Sequence, residues 1–166
     1  MPATRLSEQH CSIARTLAIV GERWTLVIMR DVLLGFGGFR ELQRRTGASS
    51  NILSDRLKGL VEQGIVERHP VAGHADAVDY RPTRKGLDLL PVLIALNRWG
   101  DVHAPLPEGR PRSWHHLTCD HEADPQLICS HCHAPLVPDE VQAAPGPAAD
   151  DEQRREGRRP PQPVTA

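Results

Sequence analysis

Long apolar runs are missing from this 166-residue chain. Apolar stretches such as residues 17–20 and 91–96 fall far short of the ~18 needed to span a bilayer. No charged-then-apolar segment opens the chain either, which predicts a soluble, cytoplasmic protein with no membrane partner. Aromatic residues number only six, too few for the stacking platforms of a single-strand binder. Four cysteines cannot build a disulfide scaffold. Charge of one sign is lacking as well: 20 Lys+Arg against 21 Asp+Glu leave −1, so any polyanion partner must be recognised by local charge. There is no serine nucleophile with a base, no paired-carboxylate motif and no H-E-x-x-H, and the expectation is that the protein is not an enzyme.

What is present is unevenly distributed. Eleven of the 15 prolines lie in the last 62 residues. Residues 1–104 carry 14 Lys+Arg against 11 Asp+Glu, whereas residues 105–149 carry 2 against 6. A basic front therefore precedes an acidic middle. From residue 141 onward the chain is rich in Pro, Ala, Gly and charge and poor in large apolar side chains. Such a composition cannot offset its own ordering entropy, so residues 141–166 are expected to be a disordered tail. The organisation inferred is a folded unit over 7–104, a small module over 113–138, and that tail.

Ile13, Leu17, Val20 and Trp24 recur at helical spacing, which predicts a first helix over residues 7–20. Residues 24–34 are apolar on most sides and fit a central buried helix, stopped by Gly35, Gly37 and Gly38. Residues 39–46 form a short amphipathic segment ending at Gly47, and residues 48–63 a further helix, capped by Ser49 or Ser50 and closed by Gly64. Two short helices about a glycine turn in a helical core make a helix-turn-helix. Two strand candidates follow, residues 65–68 and 77–81, separated by a Gly- and Pro-bearing stretch. The fold class is thus mainly α with a small β-hairpin, the winged helix-turn-helix. Thr83 caps a last helix, residues 84–99, that is apolar around nearly its whole circumference and must bend or split at Pro91. A helix of that kind needs a second protein surface, and a homodimer is the simplest source. Trp24 and Trp99 are read as core.

On a helical wheel, Leu53, Leu57, Leu60 and Val61 share one arc, while Asn51, Ser54, Asp55 and Lys58 share another. The second arc is polar and short-chained near its start, as a helix entering the ~12 Å major groove must be. By itself it would fit an ordinary solvated face; the short helix, turn and wing around it favour double-stranded DNA. Ser49, Ser50, Asn51, Ser54 and Lys58 are the candidate reading residues. Arg40, Arg44, Arg45, Arg56, Lys58, Arg68, Arg81, Arg84 and Lys85 are candidate phosphate contacts, about half of which are expected to touch DNA.

Taken together, Cys11-Ser-Ile-Ala, Gly21-Glu-Arg-Trp-Thr-Leu-Val-Ile-Met-Arg-Asp-Val-Leu-Leu-Gly-Phe, Phe39-Arg-Glu-Leu, Asn51-Ile-Leu-Ser-Asp-Arg-Leu-Lys-Gly-Leu, Gly64-Ile-Val-Glu-Arg and Tyr80-Arg-Pro-Thr-Arg-Lys-Gly, with the Leu- and Trp-bearing last helix, resemble the HxlR-type winged helix-turn-helix transcriptional regulators. The resemblance covers about residues 8–103. It implies a dimer joined through terminal helices, a pseudo-palindromic operator, usually repression, and often a response to oxidants, electrophiles or other small-molecule effectors. It also implies a redox-sensing role for Cys11. From chemistry alone Cys11, near the start of a helix and beside His10 and Arg15, fits either an activated thiol or a small buried hydrophobe.

His116, Cys119, Cys129 and Cys132 spell H-x2-C-x9-C-x2-C. Two close ligand pairs suit tetrahedral zinc in a closed, structural Cys3His site resembling a zinc knuckle. His115, His121, His131 and His133 are competitors for the fourth position. Zinc would supply folding energy that Leu117, Leu127, Ile128, Leu136 and Val137 cannot. A rival to the DNA-binding reading is a zinc-containing interaction adaptor whose helical core only dimerises; steep salt dependence of DNA binding separates the two.

Overall fold

A computed structural model describes residues 5–73 and 77–157. The chain divides into two compact units, one ending at Ala104 and one beginning at Pro105.

In the first unit a 3₁₀ turn, Leu6–Glu8, precedes α1 (Ser12–Val20), α2 (Thr25–Leu33), α3 (Phe39–Thr46), α4 (Ser50–Glu62), the strands β1 (Val66–Pro70) and β2 (Val78–Pro82), α5 (Arg84–Leu87) and α6 (Leu90–His103). The central helix is α2, whose Ile28, Met29 and Val32 are buried with Leu42 of α3, with Leu53, Leu57 and Leu60 of α4, and with Ile65 and Val66. Its one fully buried charge, Asp31, meets Arg45 of α3 at 3.0 Å and Arg30 at 2.7 Å. The Arg45 guanidinium also lies over the Phe36 ring, 3.6 Å from its centroid. Arg45 thereby clamps α2 to α3.

Strands β1 and β2 pair antiparallel, with Val66 opposite Pro82 and Pro70 opposite Val78. Pro82 stands at the end of the ladder, where a residue without an N–H is tolerated. The loop before α3 joins the wing, because Tyr80 N donates to Gly37 O at 2.9 Å and Gly38 bridges Asp79. A Cβ on Gly37 would collide with Asp79 and the Tyr80 carbonyl. The wing root is thus fixed to the helices. The expected hairpin tip falls partly at residues 74–76, outside the described residues.

Two expectations shift and one holds. The first helix starts at Ser12, with Cys11 as its extended N-cap residue, φ −138°. As expected, the terminal helix is split near Pro91: α5 ends at Leu87, and α6 begins at Leu90 with Pro91 in its first turn. Trp99 is 63% exposed and is not core; Trp24 packs against the core, half-buried.

In the second unit β3 (Trp114–His116) and β4 (His121–Ala123) form a small antiparallel hairpin, and Ile128 bridges Pro135. A 3₁₀ turn spans Pro138–Glu140 and a last helix, α7, spans Asp151–Glu156. That helix lies in the stretch read as a disordered tail. It is opened by a capping box in which Asp150 accepts from Gln153 N at 2.9 Å and Gln153 accepts from Asp150 N at 3.1 Å. No residue beyond Pro105 is buried among those described.

Candidate nucleic-acid interface

The turn between α3 and α4 is built from local rules. Gly47 ends α3 in the left-handed region, φ +75°, where a side chain would be strained. The Thr46 hydroxyl donates to Leu42 O at 2.7 Å and accepts from Ala48 N at 3.3 Å. Ser49 then caps α4, its hydroxyl accepting from Ile52 N at 3.4 Å.

Helix α4 buries Leu53, Leu57 and Leu60 and half-buries Val61, while Ser50, Asn51, Ser54, Asp55 and Lys58 are exposed. The structure brings the predicted polar arc together on one outward face. One residue that organises it was missed from sequence: Gln43 Nε2 donates to Ser50 Oγ at 2.8 Å, orienting that hydroxyl from α3. This contact exists only because the Gly47 turn folds α3 back over the start of α4, which residue spacing alone does not encode.

The cations separate into groups. Arg56 is half-buried and pairs with Glu22 at 3.2 Å, which ties α4 to the segment after α1. Lys85 Nζ donates to Gln63 O at 2.7 Å and ties α5 to the end of α4. Arg44, Lys58, Arg81 and Arg84 are exposed and hold Glu41, Glu62, Asp79 and Asp88 at 3.6, 3.9, 2.8 and 3.3 Å. Exposed pairs of this kind contribute about 0–1 kcal/mol and exchange readily for a phosphate. Arg40 and Arg68 are exposed and make no ion pair among the described residues. Asp55 makes no ion pair among them either.

Two further sequence-predicted groups stand apart. Cys11 is exposed at the start of α1. In the second unit, His116 Nδ1 lies 3.2 Å from Cys119 Sγ. The Cys129 thiol is held below its ordinary pKa, chiefly because the backbone N–H of Cys132 and then that of His131 point at its sulfur, with the Cys132 side chain adding to them. Among the described residues no three His, Cys, Asp or Glu side chains converge on one point.

A capped helix presenting a polar face after a short helix and glycine turn, with a hairpin behind it, defines the class of winged helix-turn-helix transcriptional regulators. Residues 19–107 match the HxlR-like helix-turn-helix family, and the chain belongs to it. An HTH-type transcriptional regulator of Mycobacterium tuberculosis is 42% identical over 136 residues, covering 82% of this chain and 86% of the relative. Among solved structures, a candidate transcription factor, PA1607, superposes with a TM-score of 0.73 at 28% identity, covering 85% of this chain and 99% of that one. PA1374 of Pseudomonas aeruginosa gives 0.58 at 33%, covering 88% and 99%. The redox regulator HypR in its oxidized form gives 0.53 at 26%, covering 56% and 97%. The family is one of DNA-binding regulators. Among the described residues no helix is long and apolar enough to cross a membrane.

Proposed function

We propose that this protein is a homodimeric, sequence-specific repressor that reads the major groove with α4. The observation that carries the reading is the outward face of Ser50, Asn51, Ser54 and Lys58 on a helix whose other face is locked into the core. Asn51 and Ser54 supply amide and hydroxyl groups for base edges, and Ser49 and Ser50 place the helix N-terminus close to the backbone. Arg40, Arg44, Arg81 and Arg84 hold phosphates.

Dimerisation is supported by apolar surface that the first unit leaves uncovered. Val92, Leu96, Trp99 and Val102 of α6 are 43–63% exposed, and Ile13 of α1 is 71% exposed. A second copy is the occupant that gives DNA two reading helices, which must match half-sites ~34–36 Å apart. Cys11 opens α1, so oxidation there would shift α1 against the partner and change that separation. Similarity to a regulator described in an oxidized form supports this part of the reading.

The test is binding to an operator recovered from genomic DNA. Asn51→Ala is expected to cost about 1–3 kcal/mol of specific affinity, and Arg40→Ala to lower the salt slope by about 1. Trp99→Asp is expected to give a monomer that releases DNA, and Cys11→Ser to remain bound under oxidant. Asn51→Ala binding like the parent chain would overturn the reading-helix assignment. Oxidant release unchanged in Cys11→Ser would overturn the sensor role.

A further inference from the structure

The second unit poses a physical problem that its own side chains do not solve. It has two antiparallel elements, the β3–β4 hairpin and the Ile128–Pro135 bridge. Yet no residue of it is buried among those described, and Leu117, Leu127 and Ile128 are 87, 67 and 55% exposed. Burial of apolar surface cannot hold such a segment, and small segments of this kind are held by a disulfide or a metal instead. All three of its cysteines are free.

The two elements turn in the same way. After His116-x2-Cys119 comes Asp120 with φ +57°, and after Cys129-x2-Cys132 comes His133 with φ +58°. These are the only non-glycine residues with positive φ among those described. In the first turn Asp120 N donates to His116 O at 2.9 Å; in the second, at the same position, His133 N donates to Cys129 O at 2.9 Å. Each turn therefore carries a pair of soft ligands on an identical backbone loop.

The distance within the first pair agrees with a shared metal. With Zn–S near 2.3 Å and Zn–N near 2.0–2.1 Å, two ligands at a tetrahedral angle stand about 3.5 Å apart. His116 Nδ1 and Cys119 Sγ are 3.2 Å apart. His121 turns its Nδ1 to the Cys119 carbonyl, and His115 Nε2 meets Asp120 Oδ1 at 2.7 Å. His116 is the histidine of this turn whose ring nitrogen faces the sulfur. Among the described residues no three of these side chains converge, so a metal would have to draw the two pairs together, and the nine residues between Cys119 and Cys129, at up to about 3.3 Å each, give the reach for it.

We propose that His116, Cys119, Cys129 and Cys132 bind one zinc ion that joins the two turns and folds the second unit. Each thiol gives its proton to solvent as its bond to zinc forms, and the closed set of four ligands leaves no position for a substrate.

The experiment uses the full chain, reduced, stripped with a chelator and titrated with Co²⁺. One equivalent is expected to produce the visible bands of tetrahedral cobalt with thiolate-to-metal charge transfer, displaced by Zn²⁺. Cys119→Ser, Cys129→Ser, Cys132→Ser and His116→Ala are each expected to lose that spectrum. Cys11→Ser and His121→Ala are expected to keep it. Helical circular dichroism from the first unit checks that every variant is folded. Absence of a tetrahedral spectrum in the parent chain, or its persistence in His116→Ala, would overturn the site. DNA binding plays no part in the readout, so the outcome is independent of the regulator's function.

Discussion

The two units of this chain show two different ways of holding a backbone. Up to Ala104, eleven buried apolar residues from α1, α2, α3, α4 and β1 and the segments beside them close one core, and a buried carboxylate clamped by Arg45 fixes the angle between α2 and α3. Beyond Pro105 the described residues contain turns, bridges and a capped helix but no buried side chain. The lesson is that regular backbone geometry does not by itself report what stabilises it. In the first unit side chains dictate the geometry, whereas in the second the described turns and bridges form without a buried apolar core.

Substitutions of one residue type sharpen the contrast most. Leu53 is fully buried in α4, and Leu53→Ala is expected to cost about 2–5 kcal/mol through lost burial and a cavity. Leu117 is 87% exposed, and Leu117→Ala is expected to change stability by less than about 0.5 kcal/mol. Urea unfolding followed by helical circular dichroism, and by a probe in each unit, distinguishes the two. Asp31→Ala removes the buried partner of Arg45 and Arg30; both arginines keep some solvent, so the expected loss is near the lower end for such pairs, about 3 kcal/mol. A loss below about 1 kcal/mol would show that the clamp adds little beyond a surface pair. Smaller still is Gly86→Ala, whose Cβ would press against the Ile65 carbonyl; overpacking of this kind costs about 1–3 kcal/mol, read as a lower melting temperature of the first unit alone.

Much of the first unit was legible because its signals are local. The wheel of α4, the Gly47 turn and the Ser49 cap lie within single elements, and each predicts a face or boundary that the structure shows. Contacts that cross elements were not legible. Arg45 meets Asp31 from 14 residues away and Arg56 meets Glu22, and nothing in their spacing separates them from the exposed Arg40 and Arg44. The start of α1 was misplaced because Cys11 is a poor capping type, so no Ser, Thr, Asp or Asn announced the boundary. For α7 the signal existed: Asp150 followed three residues later by Gln153 has the form of a capping box, and composition obscured it.

The similar relatives extend well past the first unit. The mycobacterial relative aligns over 82% of the chain and PA1374 over 88%.

The central claim, that α4 makes this chain a sequence-specific DNA reader, is met most directly by selecting sheared genomic DNA with the purified, reduced full-length protein at ~150 mM salt, where nonspecific phosphate binding is already weakened. The account predicts recovery of one or a few inverted-repeat sites, lost when Asn51 and Ser54 are both replaced by Ala. Recovery of no preferred sequence by a folded protein, or of the same sequences by the doubly substituted one, would contradict it.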